Sequence, residues 1–164
     1  MRSFLLLIIL TLLTGTAFSQ TASLPTAGDG TSGNPYQILT LENLYWIASN
    51  SANWNKHYIQ TGDIDASSTS TWFGGTGWIP IGNITTKFTG SYDGGNHSIS
   101  GIYANRPTES YIGLFGRTDG ATIENINIIS GSMTGDNAVG LLAGSSVGTH
   151  IINSHTSGTV TGSN

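Results

Sequence analysis

The sequence predicts an all-β chain wound into stacked parallel turns, and two observations carry that prediction. The first is a doubled segment. IGLFGRTDGATIENINIISGSMTGDN runs from Ile112 to Asn137, and VGLLAGSSVGTHIINSHTSGTVTGSN follows from Val139 to Asn164. Gly113 and Gly140, Gly116 and Gly144, Ile123 and Ile151, Asn125 and Asn153, and Gly135 and Gly162 recur 27 or 28 positions apart. The second is composition: 23 glycines and only 9% charged residues, with Ser, Thr and Asn filling most other polar positions. That is too little charge for a helical bundle, and too many β-branched and aromatic residues for disorder. A unit of this length cannot bury its own apolar face, so the copies must stack. A chain that returns matching residues at this interval, without helices between its strands, pairs strand with like strand in parallel. That is a β-solenoid, and about five turns at about 4.8 Å each would stand roughly 24 Å tall. A two-sheet sandwich uses similar short strands but requires no such repeat.

Residues 1–19 read as a signal peptide. Arg2 precedes an apolar run from Phe4 to Leu13, and Ala17 and Ser19 supply the small residues for cleavage between Ser19 and Gln20. The alternative is a retained membrane anchor, for which the run is short. The chain has no cysteine, so neither lipid anchoring at the cleavage site nor disulfides contribute, and stability must come from burial and backbone pairing. Without residues 1–19, Lys56, Lys87, Arg106 and Arg117 stand against nine acids, a net charge of −5. No basic patch suits nucleic acid, and no later segment suits a membrane span.

Residues 20–27 form a flexible lead, and residues 28–55 a cap. In the cap, Tyr36-Gln37-Ile38-Leu39 alternates as a short strand. Thr40 then offers an N-cap, Glu42 a first-turn acid, and Leu41, Leu44, Tyr45 and Ala48 one face of a helix ending near Ser49-Asn50. This helix is expected to cover the open end of the stack, since bare sheet edges invite aggregation. Residues 56–164 supply the turns. Lys56 to Asp65 reads as one strand, and the spacing from Ile99 to Ile123 to Ile151, 24 then 28, makes Phe88 to Arg106 an earlier turn. Leu114 should stack on Leu141, Phe115 near Leu142, Ile123 on Ile151 and Met133 on Val160. Asn125 and Asn153 suggest an amide ladder at a corner.

The paired IGLFG and VGLLAG segments resemble the GLUG motif of bacterial surface and secreted proteins, including the non-catalytic repeat region of immunoglobulin A peptidases. GDGTSGNPYQILTLENLYWIA is similar to the N-terminal cap of those proteins, YIQTGDID to the strand after it, and GWIPIG with FTGSYDGGNHSISGI to the turn before the first repeat. The resemblance implies a right-handed parallel β-helix on an exported bacterial protein and brings no catalytic residues. The second copy stops at Gly162-Ser163-Asn164, where the first runs on into the next unit. The expectation is therefore a longer protein of which this is the N-terminal part.

Several strings imitate catalytic motifs. Gly28 to Gly33 spells GxGxxG, but no strand precedes it and Asn34-Pro35 follows where a helix should open. Gly144 to Gly148 spells GxSxG, yet the first copy keeps both glycines, Gly116 and Gly120, with Thr118 opposite Ser146. Turn geometry accounts for both copies and a hydrolase for only one. His57, His97, His150 and His155 are scattered, with no HExxH. Asp63-x-Asp65 and Asp93-Gly94-Gly95-Asn96 lack the acid run of a calcium loop, and Asx turns bonding their own backbone explain them. Two tripeptides, Asn83-Ile84-Thr85 and Asn96-His97-Ser98, match glycosylation sequons.

The binding clue is aromatic. Trp46 and Trp78 read as plugs between cap and stack, whereas Trp72 and Phe73, in a Ser/Thr/Gly-rich loop, are the candidate ligand contacts. The sequence thus points to a non-enzymatic, secreted or cell-surface adhesion or spacer module. It needs no metal or cofactor, and its partner is a surface glycan or a protein. The alternative is an accessory region of an exported peptidase or carbohydrate-active enzyme whose catalytic domain lies elsewhere.

Overall fold

A computed structural model describes residues 20–163; the expected signal peptide, with Ser19 at its cleavage site, lies outside the described residues. Strand β1 (Tyr36–Ile38) leads into helix α1 (Leu41–Ser49). Thr40 caps the helix as its sequence position requires, its Oγ1 accepting from the Asn43 N–H at 3.3 Å. The helix ends where Asn50 turns its backbone N–H to the Ile47 carbonyl and its side-chain amide to the Trp46 carbonyl. Leu41, Leu44, Ile47 and Ala48 bury the apolar face in the common core.

The single strand expected over Lys56 to Asp65 is two, β2 (His57–Gln60) and β3 (Ile64–Asp65). The chain turns a corner between them, braced by the buried Gln60 amide, which donates to the carbonyls of Gly62 at 2.8 Å and Ser98 at 3.0 Å. Tight 3₁₀ turns over Ser67–Gly75 follow, kinked at Trp72 to Gly74. The next turn holds β4 (Ser91–Asp93), β5 (Ser98–Ser100) and β6 (Ile102–Asn105). The first copy holds β7 (Phe115–Asp119), β8 (Thr122–Glu124), β9 (Asn127–Ile128) and β10 (Gly131–Thr134). The second holds β11 (Ala143–Val147), β12 (His150–Ile152), β13 (His155–Thr156) and β14 (Thr159–Thr161).

These strands form four sheets, ordered β1-β2-β4-β8-β12, β3-β5-β9-β13, β6-β10-β14 and β7-β11. Every strand pairing among them is parallel. From β7 onward the chain visits the four sheets in one cyclic order and then repeats it. Among the described residues the fold is all-β apart from α1 and short 3₁₀ turns, with no closed barrel.

Equivalent residues stack in register. Ile123 pairs with Ile151 and Met133 with Val160, whereas Phe115 pairs with Ala143 rather than Leu142, its N–H donating to the Leu142 carbonyl as the Leu114 N–H does to Leu141. The earlier turn enters in a different register from the one its spacing suggested. Tyr92, not Ile99, lies beside Ile123, while Ile99 sits between Ile64 and Ile128 in the neighbouring sheet. Apolar identity alone misassigned the strand, because each turn presents an isoleucine to more than one sheet. The asparagine corner is also specific. Asn96, Asn125 and Asn153 all take the left-handed conformation, which asparagine tolerates better than most residues. The side-chain ladder expected between Asn125 and Asn153 is not what holds this corner: the Asn125 amide donates instead to Asp93 in the preceding turn, at 2.9 Å.

Tyr36, Tyr58, Tyr92 and Ile123 form one column, with Tyr58 stacked on Tyr36 and on Tyr92. Tyr58 donates its hydroxyl to the Asn53 carbonyl at 2.6 Å, and Tyr92 donates to Gln60 Oε1 at 3.3 Å. Burial pushes both phenols well above the ordinary value of 10.0. Their folded forms hold protons that the unfolded chain releases near pH 10, so this contribution is intact below that pH and falls as pH rises above it. Alkaline titration followed by phenolate absorbance is expected to show two of the six tyrosines ionising only together with loss of β circular dichroism. Independent ionisation of all six before unfolding would contradict this burial.

Candidate functional site

The motif-like strings serve the backbone. In the GxGxxG segment, Asp29 Oδ1 accepts from the Thr31 N–H at 2.9 Å, and a Cβ on Gly28 would stand 1.9 Å from the Pro35 carbonyl oxygen. The segment is a tight turn bridged between Thr31 and Asn34, with no helix at its end. Ser146 lies within β11, in register with Thr118, whose hydroxyl donates to Ser146 Oγ at 3.0 Å and contacts Thr149 Oγ1 at 2.8 Å. Gly148 and Gly120, both left-handed, end equivalent strands. Ser146 therefore sits on a strand rather than on a strained elbow.

The acids also close turns. Asp63 Oδ1 accepts from the Ser98 N–H at 2.7 Å, Asp65 Oδ1 from the Ser67 N–H at 2.9 Å, and Asp93 Oδ1 from the Gly95 N–H at 2.8 Å. These bonds hold the Asp63 and Asp65 carboxyls below the ordinary 3.8. His97 approaches Asp63 at 3.6 Å, and His57 Nδ1 lies 2.7 Å from Ser91 Oγ. Among the described residues, no group of three His, Cys, Asp or Glu side chains converges as a metal site would require.

The aromatic candidates separate. Trp72 is 4% exposed, its ring edge-on to Tyr45 at 5.0 Å and 6.3 Å from Trp78. It fills the core beside α1 and offers no open face, because the kink after it turns the indole inward. Phe73, left-handed at φ 50°, stays 39% exposed. Trp78 is fully buried, and Trp46 packs edge-on against Tyr36 at 5.4 Å.

The sequence reading missed a groove of about 550 Å³. Its base includes Ala48, Trp54 and Ile112. One wall is Ile79-Pro80 and Gly82 to Ile84, and the other is Glu109, Ser110 and Tyr111. Ile81 and Phe88 span seven positions over partners, Phe115 and Thr118, that span three. The Gly82 to Ile84 part of the first wall therefore belongs to an inserted loop, closed where Asn83 Oδ1 accepts from the Thr85 and Thr86 N–H groups at 2.9 Å. On the opposite side, the Arg117 guanidinium lies 4.7 Å over the Tyr111 ring, and Arg106 pairs with Glu109 at 2.9 Å. The available signal was the contrast between copies, since Arg117 is replaced by Ser145 in register.

The chain is 46% identical to Halomucin of Haloquadratum walsbyi over 143 residues, which cover 84% of this chain and 2% of Halomucin. It is 33% identical to a Gly-rich membrane protein of Evansella cellulosilytica over 123 residues, 67% of this chain and 14% of that protein. The chain thus spans a small part of the curated relatives it matches. No family model matches it, so the GLUG resemblance rests on the quoted residues, and no solved structure matches it.

Proposed function

We propose that the chain is a capped section of a right-handed parallel β-helix, serving as a non-catalytic scaffold of a secreted or cell-surface protein. In this reading residues 1–19 direct export, residues 28–55 cap one end, and the GLUG-like segments 112–137 and 139–164 are repeating turns. The exposed Phe73 is a contact for a glycan or protein partner. Relatives named as a halomucin and as a membrane protein support a place at the cell surface.

One observation carries the reading: the face that β11 to β14 turn away from the first copy. Ile151 is 47% and Val160 46% exposed, although their register partners Ile123 and Met133 are fully buried. No described strand pairs beyond β11 to β14. Those apolar positions and backbone edges have the pattern on which another turn stacks, and a repeat array gains stability with each interface added. A chain extended by one more copy of residues 139–164 is expected to melt several degrees higher than the original. Its Ile151 and Val160 amides should also exchange more slowly with deuterium. An unchanged melting temperature with no added protection would reject stacking on this edge.

A further inference from the structure

The groove departs from the repeat on both sides, and that departure separates function from architecture. The turn that carries Tyr111 is architectural. Tyr111 has φ 66°, and its counterpart Ala138 has φ 56°, each one residue before the bridged pair Ile112 and Val139. Alanine makes the same turn, so the tyrosine ring is not required by the backbone. Left-handed tyrosine is an uncommon and strained choice. The Arg117 guanidinium fixes the ring, and the second copy has neither partner, with Ala138 and Ser145 in their places. The facing wall likewise carries the loop inserted between Ile81 and Phe88, with Asn83 and Ile84 exposed on it.

The lining chemistry is mixed in a particular way. Tyr111, Ile79, Pro80 and Ile84 supply apolar and aromatic surface, while Asn83, Ser110 and Glu109 supply an amide, a hydroxyl and a carboxylate at the rim. Asn83 uses its carbonyl oxygen on the loop backbone, leaving its NH₂ as a donor. Glu109 accepts from Arg106 through Oε1, leaving its second oxygen as an acceptor. Aromatic and aliphatic surface fits the C–H face of a pyranose ring, and the rim groups fit its hydroxyls. The lining residues themselves include no cation; of the two arginines beside them, Arg106 is committed to Glu109 and to the Trp78 and Gly77 carbonyls, and Arg117 is engaged over the Tyr111 ring, so the groove favours a neutral sugar over an acidic one.

We propose that this groove is a binding site for a neutral saccharide of one or two pyranose rings, with Tyr111 as its stacking platform. The inference deepens the scaffold reading above and rests on it, by giving the scaffold a glycan site distinct from Phe73. Neutral tetrasaccharides (cello-, malto-, manno- and chitotetraose) and an acidic control, tetragalacturonate, are titrated into the protein. Binding is followed by calorimetry and by the intrinsic tryptophan fluorescence, to which Trp54, in the groove, contributes. At least one neutral sugar is expected to bind and to perturb the fluorescence, with the acidic control weaker.

Tyr111→Ala copies a residue that the same turn already accepts at position 138, so its circular dichroism and melting curve should remain close to the original. It is expected to weaken the neutral sugar about tenfold. Glu109→Gln should weaken it less, and Phe73→Ala not at all. No binding by any neutral sugar, preference for the acidic one, or unchanged affinity in a folded Tyr111→Ala would overturn the proposal. These results would leave the scaffold reading standing as long as the extended chain still melts higher. That reading fails separately if the extension adds no stability.

Discussion

Trp78→Ala is expected to be the most damaging single truncation in the chain, lowering stability by about 3–5 kcal/mol. Trp78 is fully buried at the meeting point of α1, the 3₁₀ turns and the first copy. Its ring lies 6.4 Å from Tyr45 and 6.3 Å from Trp72, and its indole N–H donates to the Leu114 carbonyl at 3.2 Å. Its backbone also ties two levels together: its N–H donates to the Tyr103 carbonyl at 2.7 Å, and its carbonyl accepts from Arg106 Nε at 2.9 Å. Alanine preserves those backbone links but leaves an indole-sized void that Tyr45 and Trp72, each fixed by other contacts, cannot fill. Urea unfolding should show a midpoint far below that of the original chain, with Trp46→Ala, at a half-buried position, costing clearly less. Equal losses for the two tryptophans would remove Trp78 from its role as the junction.

Gly116→Ala is expected to cost about 3 kcal/mol, for a different reason. Gly116 donates its backbone N–H to the Ile81 carbonyl at 2.8 Å, and a Cβ there would lie 2.3 Å from the Gly82 carbonyl oxygen and 2.9 Å from that of Tyr111. Both are backbone atoms, Gly82 of the adjoining turn and Tyr111 of the same turn, so relief requires moving backbone rather than rotating a side chain. Gly144, the equivalent glycine, is equally confined, its added Cβ lying 2.5 Å from the Ala138 carbonyl oxygen of its own turn and 2.7 Å from the Tyr111 carbonyl carbon of the adjoining one. Gly33→Ala is the control, because nothing lies within 4 Å of its added Cβ. Thermal melts of the two variants should therefore diverge sharply. A Gly116→Ala chain melting with Gly33→Ala would mean that the turns do not approach this closely.

The repeat made the stacking legible because its columns are written twice, and Ile123 with Ile151 or Met133 with Val160 needed only an offset. The cap was legible for a local reason: Thr40, Glu42 and the spacing of Leu41, Leu44 and Ala48 are signals carried within one helix. The register of the Phe88 to Arg106 segment was not legible. Tyr92 takes the place of the isoleucine in its column, and Gln60 buries an amide at the corner that splits the preceding strand. Trp72 read as exposed because its neighbours in sequence are polar, but the kink at Phe73 and Gly74 turns it into the core. The groove was hidden for another reason. Its walls come from residues about thirty positions apart, and their significance lies in how the two copies differ rather than in what they share.

The columns persist although the circuits that build them differ in length. Tyr36 to Tyr58 closes in 22 positions, Tyr58 to Tyr92 in 34, Tyr92 to Ile123 in 31 and Ile123 to Ile151 in 28. The surplus is shed at corners, as in the loop between Ile81 and Phe88, and it never shifts a strand against its partner. Loop length adds only slowly to the entropy of closure, so a corner can acquire or lose residues at little thermodynamic cost. Such a molecule thus has two nearly independent parts: an interior whose strands must keep their register, and a periphery whose corners can lengthen. Surface recognition can diversify from one lineage to the next while the interior beneath it stays the same.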